Sequence, residues 1–222
     1  KVMHKLIVTS VTYRQVSRND GRDLEWSARL QKDPENILWS RQIRRRLTGE
    51  MLRDTLLAVS GSLSNRKGGP GVRPPLPREI TSTLLKNQWP VSKAESDHRR
   101  RSIYLFTRRN LRYPILELFD RPALTESCTA RMVSTTAPQS LGLLNSEFTR
   151  NAAGRLAKHV ASETKTPKMH VKLCFQLLLG RAPDTNELAA ATSLTTRSPD
   201  QQTGLSDLCL ALFNLNESLY LD

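Results

Sequence analysis

The chain has 222 residues, with 34 Lys+Arg against 21 Asp+Glu for a formal net charge of +13. That length suits one large domain or two small ones with a real core, and 38% apolar residues place it above the disordered class. No run approaches the ~20 apolar residues of a membrane span, no basic-then-apolar leader opens the chain, and three cysteines are too few for a disulfide scaffold.

Val2, Met3, Leu6, Ile7 and Val11 recur at helical spacing, which predicts an amphipathic helix over residues 1–15. Because Lys1 falls inside that periodic segment, the chain reads as a piece of something longer. A polar stretch follows at 17–22, with Asn19, Asp20 and Gly21 as turn formers. Asp33-Pro34-Glu35 reads as a helix start: Asp at the cap, Pro at the first helical position and an acid in the first turn. Thr48 can cap the next helix, with Met51, Leu52, Thr55, Leu56 and Val59 as one stripe and Gly61 as the stop. Residues 61–80 are Gly/Pro-rich and exclude a helix or a central strand. The short aromatic and β-branched run SIYLFT at 102–107 is the best strand candidate, and Pro114 opens a helical turn or two through Phe119.

The second half predicts four helices with short connections. Thr136 and Gln139 form a capping box before Leu141, Leu144, Phe148, Ala152 and Leu156. Thr166-Pro167 opens a helix carrying Val171, Cys174, Leu177 and Leu178, which Gly180 ends. Asp184 or Thr185 begins the third, with Leu188 and Ala191, and Leu205 to Leu219 mark the last. The fold class expected is therefore mainly α: a helical bundle with a Gly/Pro-rich loop and one or two short strands.

The charge is uneven. Residues 1–112 hold 24 Lys+Arg and 10 Asp+Glu, a net +14, whereas residues 113–222 hold 10 and 11, a net −1. The first half thus reads as basic and irregular, the second as a neutral helical bundle. The candidate anion-binding residues are Arg44, Arg45, Arg46 and Arg53, then Arg66 and Arg73, then Arg100, Arg101, Arg108 and Arg109. The planar guanidinium suits carboxylate, phosphate or sulfate groups better than an ammonium does. Gly68, Gly69 and Gly71 are candidates for presenting backbone N–H groups to an anion, although the loop lacks the GxxxxGK[ST] spacing of a phosphate loop. The alternatives remain a solvated basic face and a plain structural loop.

Catalytic and metal motifs are absent. His4, His98, His159 and His170 do not fall at HExxH or CxxC-type spacing, and there is no CxxCH for haem attachment. No GxSxG, SxxK, Walker loop or GxGxxG occurs. Cys128 sits in a polar stretch, while Cys174 and Cys209 lie on apolar helix faces as small core residues that can also pair. Nucleic acid fits the basic charge but not the 5% aromatic content, which leaves few stacking platforms. A recognition helix at 186–195 would carry no Lys or Arg.

Several segments, taken in order, carry a resemblance: HKLIVTSVTYRQ at 4–15, DPENILW at 33–39, RRRLTGEMLRDTLLAVSG at 44–61, GGPGVRPPLP at 68–77 and RRSIYLFTRRNL at 100–111. The stretch from 116 to 148, LLLGRAPDTNEL at 177–188 and LCLALFNLNESLYLD at 208–222 complete it. The chain resembles the planctomycete-specific C-terminal domain of unknown function, found in large bacterial envelope proteins and commonly downstream of a cytochrome-c-like domain. The resemblance carries no catalytic residues. It implies an exported multidomain parent, an extracytoplasmic location, and any haem in an upstream domain rather than in this segment.

Two functions from different classes follow as expectations. The first is a non-catalytic binding or scaffolding module whose arginine-rich half contacts an anionic polymer, such as an acidic or sulfated polysaccharide, or an acidic domain of its parent. The second is a hydrolase acting on an anionic carbohydrate between the GGPGVRPPLP loop and residues 102–107, with Glu95, Asp97, Glu117 and Asp120 the nearest carboxylates in sequence. Nucleic-acid binding is a third possibility, disfavoured by the low aromatic content.

Overall fold

A computed structural model describes residues 1–17, 19, 24–125 and 127–221. The chain divides into two compact units, residues 1–46 with 220–222, and residues 47–219. The fold is mainly α: twelve α-helices and one two-stranded antiparallel sheet stand among the described residues.

The first unit contains helices α1 (Val2–Val8) and α2 (Trp26–Lys32), neither of which buries a residue. The helix predicted over 1–15 stops at Val8; Thr9 and Ser10 turn their hydroxyls onto Lys5 and Ile7 carbonyls, and turns run on to Arg14. Part of the turn predicted at 17–22 lies outside the described residues.

Asp33 does not start a helix; it follows the end of α2 and organises a loop. Its carboxylate accepts from the N–H groups of Ile37 and Leu38 at 2.8 and 2.9 Å. The Arg41 guanidinium donates to the carbonyls of Asp33 and Pro34, and the Asn36 side chain holds both the N–H and the C=O of Arg41. Asn36 and Trp39 stand at φ 55° and 53°, so a right-handed helix cannot run through them. The unit closes with strand β1 (Arg45–Arg46) paired to β2 (Tyr220–Leu221). These two strands fall where none was predicted.

The second unit begins at helix α3 (Gly49–Val59), where the Thr48 hydroxyl accepts from Met51 N–H as the spacing predicts, and Gly61 takes φ 65° just past its end. Its buried face is Leu52, Arg53, Leu56 and Leu57, rotated from the predicted stripe, because Met51 and Thr55 are exposed. Residues 62–77 run as an irregular loop that touches the 99–106 segment through two parallel bridges, Ser64 to Arg100 and Val72 to Leu105. Short helices α4 (Arg78–Thr81) and α5 (Glu95–His98) flank it.

The strand predicted at 102–107 is instead a 3₁₀ turn (Ser102–Tyr104) followed by the single bridge at Leu105. Its first N–H, on Ser102, is taken by the Asp54 carboxylate at 2.7 Å. Side chains of α3 tie this segment down, so a strand ladder does not form. Helix α6 (Pro114–Leu118) follows, with Leu116 fully buried.

The single helix predicted from 137 to 156 is two: α7 (Ala137–Asn145) and α8 (Glu147–Glu163). Ser146 takes an extended conformation (φ −68°, ψ 141°), and its hydroxyl accepts from Thr149 N–H to cap α8. The apolar phase shifts at the break, so Leu143 is buried while Leu141 and Leu144 are exposed. Helices α9 (Pro167–Leu179), α10 (Thr185–Arg197), α11 (Gln201–Phe213) and α12 (Asn216–Leu219) complete the unit. The last predicted helix is thus also divided, at Asn214 and Leu215.

Helix α8 is the axis of the core. Ala152, Ala153, Leu156, Ala157 and Val160 are all fully buried, and α11 packs along it with Leu205, Leu208, Cys209, Leu212 and Phe213. Small residues let the axes approach, a route to dense packing that needs no large side chains. Between α10 and α11 a Cβ on Gly204 would lie 2.6 Å from the Thr195 carbonyl oxygen, so that contact requires glycine.

A cationic cleft in the second unit

The predicted arginines do not form one surface. Arg53 is fully buried, donating to the carbonyls of His98 (2.7 Å) and Arg100 (2.8 Å) and to the Ser102 hydroxyl (3.2 Å), with Asp54 at 3.7 Å. Arg100 is 1% exposed, donates to the carbonyls of Gly68 and Pro70, and lies 3.9 Å over the Tyr104 ring. Both fasten the loop at 62–77 and the 99–106 segment to α3, and neither is open to an external anion. Gly68 donates its N–H to the Tyr104 hydroxyl, and Gly68 and Gly69 take φ 70° and 81°. Gly71 passes close to Phe106.

Other arginines are held at the surface. Arg66 pairs with Asp97 at 3.1 Å, and Arg101 reaches Asp54 at 3.5 Å. Arg73 lies 3.8 Å over Phe106, and Arg108 donates to the Gln88 carbonyl at 2.7 Å. In the first unit Arg44 stacks on Tyr220, Arg45 is exposed, and Arg46 is half-buried in β1. Arg45 and Arg109 are exposed, with no carboxylate in ion-pair distance among the described residues.

A cleft of about 760 Å³ opens in the second unit, between residues 74–79, the α5 end, α6, and the start of α8. Pro74, Pro75, Leu76, Tyr113, Ile115 and Phe148 give it apolar walls. Trp89 supports one wall by donating its indole N–H to the Pro74 carbonyl at 2.8 Å.

The cleft also receives Arg99 from the end of α5 and Arg155 from α8. Among the described residues Arg99 has one ion partner, Glu95 at 3.6 Å, whose side chain is 82% exposed. The Arg155 Nε is shielded from water and has no hydrogen-bond partner. Burial holds the Arg155 guanidinium below its ordinary pKa, the Arg99 charge adds to that, and Glu95 only partly offsets it. Arg78 and Arg150 reach the same cleft, as do Glu79 and Glu147, all four exposed. The His98 ring lines it too, with Nε2 held by the Ser92 carbonyl at 2.7 Å.

Of the four carboxylates expected near a catalytic cleft, only Glu95 lines this one. Asp97 is paired with Arg66 and Glu117 with Arg112, while Asp120 accepts from the N–H and hydroxyl of Ser134. Arg155 was missed because it sits in the half whose net charge is −1. The available signal was its place on α8, directly beside Leu156 and three residues from Ala152 in the buried stripe.

Among the described residues no group of three or more His, Cys, Asp or Glu is arranged to hold a metal ion. No helix among them is long and apolar enough to cross a membrane. Residues 1–195 match the family described as PSD1, protein of unknown function (DUF1553), and the chain belongs to that family. No curated protein and no solved structure matches it.

Proposed function

We propose that this member of the DUF1553 family is a non-catalytic binding module that contacts an anionic polymer, an acidic or sulfated polysaccharide, through its exposed arginines. The observation that carries the reading is the sorting of the cations. Arg53 and Arg100 are consumed inside the fold, whereas Arg45 and Arg109 stand exposed with no carboxylate partner among the described residues. Exposed cations of this kind attract polyanions over a Debye length of about 8–10 Å at physiological salt. An acidic domain of the same parent chain would meet the same groups. The extracytoplasmic setting downstream of a cytochrome-c-like domain, implied by the family resemblance, belongs to this proposal and suits a polysaccharide partner.

Heparin chromatography tests it. Arg45→Glu with Arg109→Glu should elute at distinctly lower salt than the wild type, because reversing two exposed charges lowers the net charge by four. Equal elution of the two proteins would refute the reading. Fractionation of a native host, with the parent chain found only in the cytoplasm, would refute its location.

A further inference from the structure

We propose that the cleft beside residues 74–79 is a binding site for one oxyanion, a carboxylate or a sulfate ester, carried on a ring-sized organic body, and that Arg99 and Arg155 hold the oxyanion. This deepens the acidic-glycan reading above and rests on it for the choice of ligand.

Several enclosed arginines among the described residues have acceptors or counter-charges. Arg53 and Arg100 have backbone carbonyls, and Arg181 has both Glu187 and Glu217 at 2.7 Å. Arg155 differs: it is half-buried, and while its Nε lacks a partner just as those of Arg53 and Arg100 do, its other guanidinium nitrogens also have no hydrogen bond and no carboxylate within ion-pair distance among the described residues. Burial disfavours its charged form, the charge of Arg99 adds to that, and Glu95 opposes it. A desolvated, unpaired charge opposed by a like charge destabilises the free fold. Such an arrangement is what a bound oxyanion relieves, since a guanidinium fork offers paired N–H donors that match an oxyanion.

The cleft is far larger than an ion. At about 760 Å³ it lies within the size range of small-molecule sites, roughly 300–1,000 Å³. Its proline and aromatic walls, Pro74, Pro75, Tyr113 and Phe148, offer flat apolar faces to a ring. Glu79, Glu95 and Glu147 at its edge disfavour a ligand with several clustered negative charges, which selects a single oxyanion rather than a polyphosphate.

The test uses calorimetric titration of the full chain with methyl galacturonoside, its methyl ester and a monosulfated disaccharide, together with thermal melts. The galacturonoside or the sulfated sugar should bind, and the uncharged ester should bind about tenfold more weakly or worse, the loss expected for a charge-assisted contact. Arg155→Gln and Arg99→Gln should each weaken binding by about tenfold or more. Ligand-free Arg155→Gln should melt at or above the wild-type temperature, because the substitution removes an uncompensated charge. A structural role for Arg155 predicts the reverse, a lower melting temperature, and that result would overturn the proposal. So would equal affinity for acid and ester, unchanged affinity in Arg155→Gln, or no binding of either anionic probe. Arg45→Glu with Arg109→Glu keeps the cleft intact, so its heparin elution judges the broader reading separately from the subsite.

Discussion

Replacing Arg53 by Met separates a structural arginine from a ligand-binding one. Methionine fills much of the same volume and removes the guanidinium. The His98 and Arg100 carbonyls then lose donors at 2.7 and 2.8 Å, and the Ser102 hydroxyl loses one at 3.2 Å. Each buried acceptor left unsatisfied costs about 1–3 kcal/mol. Relief from burying a cation works the other way, but breaking a buried charged network by removing one partner is typically a net loss of about 3–5 kcal/mol. Asp54 limits the damage, since it keeps Arg101 at 3.5 Å and the Ser102 N–H at 2.7 Å. We therefore expect a net loss of about 3–4 kcal/mol. At about 2–4 °C per kcal/mol for a unit of this size, the melting temperature should fall by roughly 6–16 °C. Circular dichroism melts read the stability, and heparin elution of the still-folded protein at low temperature should match wild type. Arg53→Lys should fall between the two, because one ammonium on a flexible stem does not reproduce the planar fork. A fall of less than about 2 °C, well under the range expected from that scale, with a large loss of heparin retention would refute the structural role.

Three further outcomes follow from named contacts. Arg181 holds the Glu187 carboxyl down at a pKa of about 2 against an ordinary 4.5, so the pair stabilises the fold above pH 4.5 and the gain is lost as pH falls toward 2. With the Arg181 and Glu187 side chains 38% and 29% exposed, solvent screening leaves about 1 kcal/mol of this; Glu187→Gln should melt lower than wild type at pH 6 and equal to it near pH 2, and a gap that persists in acid would refute the assignment. Two helical glycines should respond with opposite signs to Ala: Gly204→Ala loses about 1–3 kcal/mol because its Cβ would meet the Thr195 backbone at 2.6 and 2.9 Å, whereas Gly154→Ala, whose nearest neighbour is the Ser206 hydroxyl at 3.9 Å, gains up to about 1 kcal/mol of helix propensity. Under reducing conditions the folded chain should take up one equivalent of iodoacetamide, at exposed Cys128, and three after denaturation. Cys174 and Cys209 are buried with sulfurs 3.9 Å apart, and the hydrogen bond they share, reinforced by burial, pushes the Cys209 thiol up; three equivalents in the native state would refute the packing of α9 on α11.

Helix starts were legible wherever local chemistry alone decides them. Thr48, the Thr136 and Gln139 box, Thr166-Pro167 and the Asp184 cap all stand where the spacing placed them, and Gly61 and Gly180 adopt the positive φ that a helix stop requires. What failed was decided by partners far along the chain. Asp33 has the composition of a cap, yet Arg41 and Asn36 fold the segment into a loop around it. Residues 102–107 have strand composition, yet an Asp54 oxygen 48 positions away takes the N–H that would begin a ladder. The α3 stripe was misread by one residue because apolar periodicity assigns arginine to water. Here the carbonyls of His98 and Arg100 make a buried Arg53 tolerable.

The same physics explains why the candidate site was the least legible part. Summing charges by segment treats all 34 cations as equivalent, but a cation's availability depends on which acceptors the fold brings to it. Arg53 and Arg100 lie in the strongly basic half and are unavailable, since carbonyls surround them. Arg155 lies in the half with net charge −1 and is a half-buried cation with no acceptor among the described residues. Arg99 and Arg155 are 56 positions apart in sequence, yet both line one cleft. Net charge therefore reports what the chain can attract at long range, while a half-buried guanidinium without an acceptor marks where we propose an anion is held, and the two quantities point to different residues in this protein.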